Sequence, residues 1–320
     1  MAPLICNTPQ YNTISCPGND YSDRLLVSIL GCGRKENVKK IGFVTTTLSN
    51  PFFVDMTEAA KAEVKNHPGF EIIVQAPERG ATDIERQIQI VENLITQKVD
   101  ALCVVPADSR SIVESVAKAN KAGIPFLNID NKIDATLAQQ RNAQLATFIG
   151  SDNYLGGKLA GEYVVQKLDG TGKVAILEGV SGVEAAINRK SGFLDYVKQH
   201  PGVELVASQP ADWDREKGLN VFQNILQANP DIRALFACND EMALGAIQAI
   251  RTAGKAGQII VVGFDATKDG LAAVENRSMA ATVAQLPAEM GRIAVLKAID
   301  LINGKNIDTH ISTEVKIITK

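Results

Sequence analysis

The stretch KNHPGFE, at Lys65–Glu71, recurs as KQHPGVE at Lys198–Glu204, 133 residues further along the chain. At the same spacing KIGFV, at Lys40–Val44, matches KVAIL at Lys173–Leu177. Ala101-Leu102 matches Ala234-Leu235 at the same spacing, so one offset holds over about 60 residues and indicates an internal duplication. Its period is far longer than the roughly 20–50 residues of solenoid repeats. The sequence therefore predicts two lobes of similar plan.

Each predicted lobe alternates short apolar runs with longer segments of helical period. In the first half the apolar runs are IGFVTTTL, FEIIVQA, DALCVVP and IPFLNID, and helical segments such as TDIERQIQIVENLITQ lie between them. Strands that are apolar throughout and alternate with helices are typical of parallel sheets covered on both faces. We therefore predict an α/β protein with two doubly wound parallel-sheet lobes. Ligands of such sheets bind outside the carboxyl ends of the strands, so we expect both lobes to face one cleft.

Composition excludes several classes of function. The chain has 320 residues, 45% of them hydrophobic, and a net charge of −3. This is enough for one or two cores, and the mild acidity argues against a nucleic-acid surface, which needs a basic patch. No apolar run approaches the roughly 18 residues of a membrane span. Cys103 and Cys238 lie in apolar runs without metal-ligand spacing, so we predict no disulfide between them, no metal site and no cofactor.

The first 39 residues differ from the rest of the chain. They lack periodicity, and the apolar run RLLVSILGCG resembles a bacterial lipobox with Cys32 as the lipid-carrying residue. The run is at the short end of the signal-peptide range, and Asp20 and Asp23 precede it where a signal carries positive charge. We therefore treat residues 1–39 as a leader and linker, with a lipoprotein signal as one of two readings.

The end of the first strand carries an unusual pair of rings. In TLSNPFFVDM, Pro51 suits the first position of a helix, and Phe52 and Phe53 fall in its first turn. Asn50 is expected either to cap that helix or to offer its amide to a ligand. The rings are expected either in the core or at the cleft, and their pairing at a strand end favours the cleft.

Two aspartates occupy equivalent strand ends in the two halves, Asp130 after FLNI and Asp265 after VVGF. A carboxylate can accept hydrogen bonds from two neighbouring hydroxyls, and charge-assisted bonds are the stronger kind. Alone, each aspartate could equally be a helix cap, but the equivalent placement favours a ligand. Other polar or aromatic groups at strand ends are Asn239, Gln285 and Trp213.

These residue types suit a sugar, which has apolar C–H faces and a rim of hydroxyls. Aromatic rings stack on the faces, and planar Asp, Asn, Gln and Arg groups each bind two hydroxyls of the rim. Arg189, in the first helix of the second lobe, reads by itself as a solvated surface residue.

Seven segments carry a family resemblance: TLSNPFFVDM, SDNYLGGKLAGEY, ASQPADWDREKGLNV, CNDEMALGAIQA, TAGK, VVGFDAT and ATVAQLP. From about Lys40 to its end the chain resembles the periplasmic sugar-binding proteins of ABC importers, in the ribose-binding group. The resemblance implies a type I periplasmic binding protein that holds one monosaccharide between its lobes. It also reverses the surface reading of Arg189. The ligand-binding residues that it implies are Asn50, Phe52, Phe53, Asp130, Arg189, Trp213, Asn239, Phe264, Asp265 and Gln285.

Two departures from the ribose-binding pattern bear on the cargo. Asn131 stands where ribose-specific relatives carry an arginine, and Trp213 stands where they carry a phenylalanine. Losing an arginine removes up to five donors and frees volume. Asn131 is therefore a further candidate contact, and the segments look closest to the allose-binding branch. Allose, ribose, a ketose such as psicose, or a polyol is the expected cargo.

The resemblance also implies an architecture and partners. Hinge crossovers are expected near Ser151-Asp152, at Gln285 and around Ile311–Glu314. They divide the chain into lobe 1 (40–151 plus 286–313) and lobe 2 (152–285 plus 314–320). Closure of the cleft on the sugar would present a joined surface to an ABC permease, and a chemoreceptor is a further candidate partner. A monomer is expected, either free in the periplasm or lipid-anchored at the outer face of the cytoplasmic membrane.

Two rival classes are disfavoured by the sequence. For an enzyme, no nucleophile lies beside an evident base, and His67, His200 and His310 read as solvated residues of helix ends and a loop. A pocket that encloses one monosaccharide also leaves no room for the leaving sugar of a glycosidase. A LacI-type repressor shares the fold but needs an N-terminal helix-turn-helix, and residues 1–39 hold three prolines and no helical period.

Overall fold

A computed structural model describes residues 38–320, which form two six-stranded sheets. The part of the chain built on the first sheet is here called lobe 1. Its elements are β1 (Lys39–Val44), α1 (Pro51–Val64), β2 (Phe70–Gln75), α2 (Ile84–Thr96), β3 (Ala101–Val104), α3 (Val113–Lys121), β4 (Phe126–Ile129), α4 (Ala135–Gln140), β5 (Thr147–Ser151), α10 (Pro287–Ile302) and β11 (His310–Thr313). The predicted lipidation site, Cys32, lies outside the described residues.

The second sheet carries the remaining elements, here called lobe 2. They are α5 (Asn153–Lys167), β6 (Gly172–Glu178), α6 (Glu184–Val197), β7 (Val203–Pro210), α7 (Arg215–Ala228), β8 (Ile232–Ala237), α8 (Asp240–Thr252), β9 (Ile260–Asp265), α9 (Lys268–Glu275), β10 (Ala281–Ala284) and β12 (Lys316–Thr319). His310 begins β11, so the expectation that it lies in a loop was wrong.

The two sheets have the same strand order, as the duplicated sequence predicts. Lobe 1 runs β2-β1-β3-β4-β5-β11 and lobe 2 runs β7-β6-β8-β9-β10-β12. Every described pair is parallel except β10 with β12, which is antiparallel. The prediction of two doubly wound parallel-sheet lobes is therefore confirmed. In both lobes the order reverses beside the first strand, so the carboxyl ends of the central strands flank an open crevice.

The chain passes between the sheets three times. It leaves β5 for α5, returns from β10 to α10, and passes from β11 to β12. These passages agree with the predicted crossovers, whereas the exact lobe boundaries stay a prediction. The first strand begins at Lys39, one residue before the predicted start of the folded region.

Alternate residues of the lobe 1 strands pack on opposite faces of their sheet. Ile41 and Phe43 join a cluster with α1 and α10, whereas Val44 and Leu102 join a cluster with α2 and α3. Burial on both faces explains why these strands are apolar throughout. Cys103 lies in this packing and Cys238 lies in the core of lobe 2, and both are buried free thiols. Within residues 38–320, no helix has the length and hydropathy that a membrane crossing requires.

Close packing of α5 on α6 fixes the position of the helix that carries Arg189. A Cβ at Gly157 would collide with the backbone oxygen of Arg189, and one at Gly192 would collide with that of Tyr154. Only glycine lets the two helix backbones approach so closely. Because α5 precedes it in lobe 2, α6 is the second helix of that lobe and not the first, as the sequence had suggested.

Candidate functional site: a polar cavity between the lobes

A cavity of about 300 Å³ lies between the strand ends of the two lobes. It is lined by nine of the eleven residues predicted from the sequence: Asn50, Phe52, Phe53, Asp130, Asn131, Arg189, Trp213, Asn239 and Asp265. Arg189 comes from helix α6 and the others from the ends of strands of both sheets or from the loops and helix starts that follow them, so the fold brings together residues that are up to 215 positions apart in the sequence. The other two, Phe264 and Gln285, lie behind the lining.

Both of those residues contact a residue that lines the cavity. The ring of Phe264 is fully buried and lies 3.9 Å from the guanidinium carbon of Arg189. Gln285 Nε2 donates to Asp265 Oδ1 over 2.8 Å, and its Oε1 is buried without a partner among the described residues. Both therefore support the site from behind, and their direct contact with a ligand stays a prediction.

The N-terminus of α1 forms one wall. Asn50 Oδ1 accepts from the backbone N–H of Phe52 and so caps the helix, which leaves the side-chain amide to donate to a ligand. The rings of Phe52 and Phe53 meet edge to face, with centroids 5.2 Å apart. Both rings belong to the lobe 1 core and both line the cavity. The two rings are therefore part of the core and part of the cavity wall at the same time.

Asp130 offers an acceptor that the protein leaves unused. It is buried at 3% exposure, and its Oδ1 has no hydrogen-bond partner within residues 38–320. The cap of α4 is Asp134, so the cap reading of Asp130 was wrong. Burial raises the pKa of Asp130 to about 6, against the opposing charge of Arg189. An unpaired buried carboxylate is costly and needs donors from elsewhere.

Asp265 is the corresponding carboxylate of lobe 2. Its Oδ1 accepts from Gln285 and from Arg189 Nη1, which is 3.3 Å away. Thr267 caps α9, so the cap reading fails here too. Burial raises the pKa of Asp265 to about 8, although the guanidinium of Arg189 opposes this change.

Arg189 is buried at 4% exposure and is held on several sides. Its Nε donates to Asn153 Oδ1 over 2.8 Å, and Nη1 donates to the carbonyl oxygen of Cys238 over 2.7 Å. Its guanidinium carbon lies 3.9 Å from the ring centroid of Phe264 and 5.2 Å from that of Trp213. These bonds leave Nη2 to donate to a ligand. The surface reading of Arg189 was therefore wrong, because α6 turns this side chain inward.

Trp213 closes the cavity from lobe 2, in the turn between β7 and α7. Its carbonyl oxygen accepts from Asn239 Nδ2 over 3.2 Å. Asn239 also caps α8 by accepting from the N–H of Met242. The indole ring lies directly over Gly179, where any Cβ would collide with it. A glycine at the end of β6 thus makes room for the ring.

Backbone strain concentrates around this cavity. Positive φ angles occur at Asp130 (61°), Asp212 (52°), Trp213 (64°), Asp265 (106°) and Ala266 (52°). Non-glycine residues rarely adopt this conformation, and such residues cluster at ligand sites. Asp130 adopts this conformation directly after β4, and Asp265 adopts it at the last residue of β9.

Asn131 is less free than its sequence position suggests. Its Nδ2 donates to the carbonyl oxygen of Pro106 over 2.9 Å, and its own carbonyl accepts from Asn128. The side chain is buried at 6% exposure. A ligand in the cavity would therefore meet mainly the acceptor oxygen of this amide.

Sequence reasoning missed several residues of the lining and its support. Asn153, which orients Arg189, lies in the segment SDNYLGG, but nothing in that segment shows which distant side chain it meets. Asp240, buried between Thr267 and Thr282, accepts three hydrogen bonds and fixes the loop after Asp265. The missed lining residues are Thr46, Thr47, Ser49, Gly80, Ala81, Ala107, Val183, Ala185, Asp212, Asp214, Arg215 and Glu241. No group of metal-ligating side chains occurs among the described residues.

Comparison with known proteins shows which family has this fold and sequence. Residues 41–306 match the model of the periplasmic binding protein domain. The ribose import binding protein of Bacillus subtilis (strain 168) is 42% identical over 280 residues, which cover 88% of this chain and 87% of that protein. The D-allose-binding periplasmic protein of Escherichia coli (strain K12) is 37% identical over 277 residues, covering 86% and 88%.

Solved structures agree with the fold. An ABC transporter periplasmic solute binding protein from Actinobacillus succinogenes 130z, with bound D-allose, matches with a TM-score of 0.84, 36% identity, and coverage of 88% of this chain and 98% of that one. A solute binding protein from Bacillus halodurans C-125, with bound myo-inositol, matches with a TM-score of 0.82, 33% identity, and coverage of 89% and 96%. The chain therefore belongs to the periplasmic binding protein family, among the sugar-binding proteins of ABC importers.

Proposed function

We propose that this protein is the substrate-binding component of an ABC-type sugar importer and binds one monosaccharide between its lobes. The observation that carries the proposal is the pair of buried carboxylates, Asp130 and Asp265, beside the rings of Phe52, Phe53 and Trp213. The free acceptor oxygen of Asp130 calls for a donor such as a sugar hydroxyl. Buried carboxylates also disfavour an anionic ligand, so the cargo is a neutral polyhydroxyl compound.

The cargo falls within a narrow range. Relatives are named for ribose and for D-allose, and related solved structures hold D-allose and myo-inositol. Asn131 supplies an acceptor where a ribose-specific relative has arginine donors, which favours a hexose such as allose, or psicose, over ribose. A polyol of similar size satisfies the same contacts.

Transport would proceed by closure of the lobes on the sugar. Only contacts made in the closed form shift the equilibrium towards it. Arg189, Trp213, Asn239 and Asp265 from lobe 2 would drive closure against the lobe 1 wall, and the joined surface would engage a membrane permease. A chemoreceptor is a second candidate partner that would bind this surface.

The protein is proposed to act as a monomer in the periplasm or anchored there through Cys32. Mass spectrometry of the membrane fraction tests the anchor, because a lipidated Cys32 adds the mass of its acyl chains. An unmodified protein found solely in the soluble periplasmic fraction would reject it.

Catalysis is not part of the proposal. The related proteins are solute-binding proteins. Among the residues that line the cavity there is no histidine, cysteine or lysine, so no side-chain base stands beside a nucleophile such as Ser49 apart from the carboxylates themselves. The carboxylates are better explained as acceptors for hydroxyls that the cavity encloses.

A thermal-unfolding panel on the full chain tests the function. Ribose, allose, psicose, galactose, xylose, arabinose and several polyols are each added in excess. A ligand at 100 times its Kd should stabilise the fold by about 2.7 kcal/mol, which raises the melting temperature by about 4–5 °C for a chain of this size. Asp130→Ala should abolish the shift, whereas Asp134→Asn, in the same loop but outside the cavity, should keep it. A melting point that no sugar or polyol moves would refute the proposal.

A further inference from the structure

The N-terminus of α6 is joined to the opposite lobe. The backbone N–H of Glu184, the first residue of α6, donates to Ser109 Oγ over 3.1 Å. Ser109 lies in the loop between β3 and α3 of lobe 1, and α6 belongs to lobe 2. Apart from the crossover segments, this is the hydrogen bond that links the two lobes within residues 38–320.

Helix α6 has no cap of its own. The residue at its N-cap position is Val183, which is extended and offers no side-chain acceptor. Most of the long helices here carry their own cap, for example Asp152 on α5 and Asp214 on α7. The first N–H groups of a helix need an acceptor from outside the helix. For Glu184 that acceptor comes from the other lobe.

A second group of the same loop approaches this helix end. A Cβ at Gly182 would lie 3.3 Å from Asp108 Oδ2, so the carboxylate stands close to the turn that leads into α6. Asp108 Oδ1 accepts from the N–H groups of Arg110 and Ser111, which fixes the carboxylate in place. A negative charge near the N-terminus of a helix is favourable.

Ser109 is held in position but does not line the cavity. It is buried at 7% exposure, and its carbonyl oxygen accepts from the N–H of Asp134 over 2.7 Å. Arg189, which does line the cavity, lies further along the same helix α6. A bond at the start of α6 therefore holds the lobe 2 side of the site against lobe 1 without touching a ligand.

We propose that Ser109 is a helix cap supplied by one lobe to the other, and that it sets sugar affinity by stabilising the closed cleft. When the cleft opens, Ser109 and Asp108 withdraw and the N-terminus of α6 loses its acceptor. The inference rests on the proposed function, since it explains how tightly the closed form holds its sugar. Affinity would thus depend in part on residues outside the cavity.

The expected effect follows from the strength of helix caps. Replacing a Ser cap by Ala costs about 0.5–2 kcal/mol, and each 1.4 kcal/mol is about tenfold in Kd. Ser109→Ala should therefore weaken sugar binding about 2- to 30-fold. The loss should appear as faster sugar dissociation, because the bond is made after the lobes meet.

Two measurements on the full chain test the cap. Hydrogen–deuterium exchange follows the first turn of α6, and stopped-flow binding of the sugar identified above gives the rate constants. Ser115→Ala is the control, because Ser115 is also buried in this part of lobe 1 but its hydroxyl has no partner among the described residues. Ser109→Ala should speed exchange at the start of α6 and raise the dissociation rate, and Ser115→Ala should do neither.

The exchange experiment separates this inference from the proposed function, because without sugar it still reports the contact in the fraction of molecules whose cleft is closed. If no sugar binds the unmodified protein, the function fails, while faster exchange in Ser109→Ala still supports the contact between the lobes. If sugar binds and Ser109→Ala leaves both the exchange of α6 and the dissociation rate unchanged, the cap is refuted. Faster exchange with an unchanged dissociation rate would refute its role in affinity.

Discussion

At the scale of the residue, Asp130 is costly for the unliganded fold. It combines a left-handed backbone (φ 61°), burial, and an oxygen without a hydrogen-bond partner among the described residues. Each of these features costs free energy of folding. Residues that destabilise a fold in this way are typical of sites where a ligand supplies the missing partner.

We expect Asp130→Asn to increase the stability of the fold and to weaken sugar binding. Because the folded-state pKa of about 6 lies above the ordinary 3.8, the carboxylate destabilises the fold as pH rises from 4 to 6 and fully above that. The variant should therefore be more stable than the wild type by about 2–3 kcal/mol at pH 8, and by much less at pH 4. Urea unfolding at both pH values measures the difference.

Asparagine tolerates the left-handed backbone at this position, so a fold defect is not expected. The same variant should lose most of its sugar binding, because an amide presents one acceptor where the carboxylate presents two. Asp134→Asn is the control, since Asn caps a helix as well as Asp does. Equal stability of wild type and Asp130→Asn at pH 8 would contradict the buried-charge account.

At the scale of the element, the packing of α5 against α6 determines where Arg189 lies in the site. Gly157 and Gly192 let the two helix backbones meet, and Asn153 at the start of α5 binds Arg189 of α6. The guanidinium is therefore positioned by the pair of helices and not by α6 alone. Precise packing of this kind tolerates extra volume poorly.

Gly157→Ala should both destabilise the fold and weaken sugar binding. The added methyl meets the backbone oxygen of Arg189, so α5 and α6 must separate. Overpacking of this kind costs about 1–3 kcal/mol. Thermal unfolding and isothermal titration with sugar measure the two effects. Lys158 is exposed on the same helix, so the control Lys158→Ala should change stability by less than about 0.5 kcal/mol. If Gly157→Ala changed neither stability nor sugar affinity, the two helices would be able to separate without cost.

At the scale of the whole molecule, the two lobes place two raised-pKa carboxylates in one cavity. Burial between the lobes raises the pKa of Asp130 to about 6 and that of Asp265 to about 8. Sugar hydroxyls donate to the ionised carboxylates and so stabilise them. Closure on a sugar should therefore release protons near neutral pH.

Sugar affinity should consequently rise as pH increases from 5 to 8. Protons must leave Asp130 and Asp265 for the ligand to bind, and this becomes easier as pH passes their raised pKa values. Isothermal titration in buffers with different ionisation enthalpies measures the protons released. Affinity independent of pH over this range, with no proton release, would show that both carboxylates are already ionised in the free protein.

Much of this protein could be predicted from its residues taken in order. The repeat from Lys65 to Lys198 predicts two lobes, and apolar strands alternating with helices predict their parallel sheets. Because parallel strands end at one edge of a sheet, strand-end residues such as Asn50 and Asp130 could be assigned to the cleft. Local sequence was sufficient for these predictions, because the periodicity of each strand or helix and the residues of each turn lie within a single segment of the chain.

The tertiary structure alone decided which side chains meet. It placed Phe264 behind Arg189, committed the amide nitrogen of Asn131 to Pro106, and gave α6 a cap, Ser109, from the other lobe. It likewise showed that Asp134, and not Asp130, caps helix α4. The physical reason is that these contacts join segments from different strands or lobes. Their distances depend on how sheets and helices pack in space, which no local pattern of residues records.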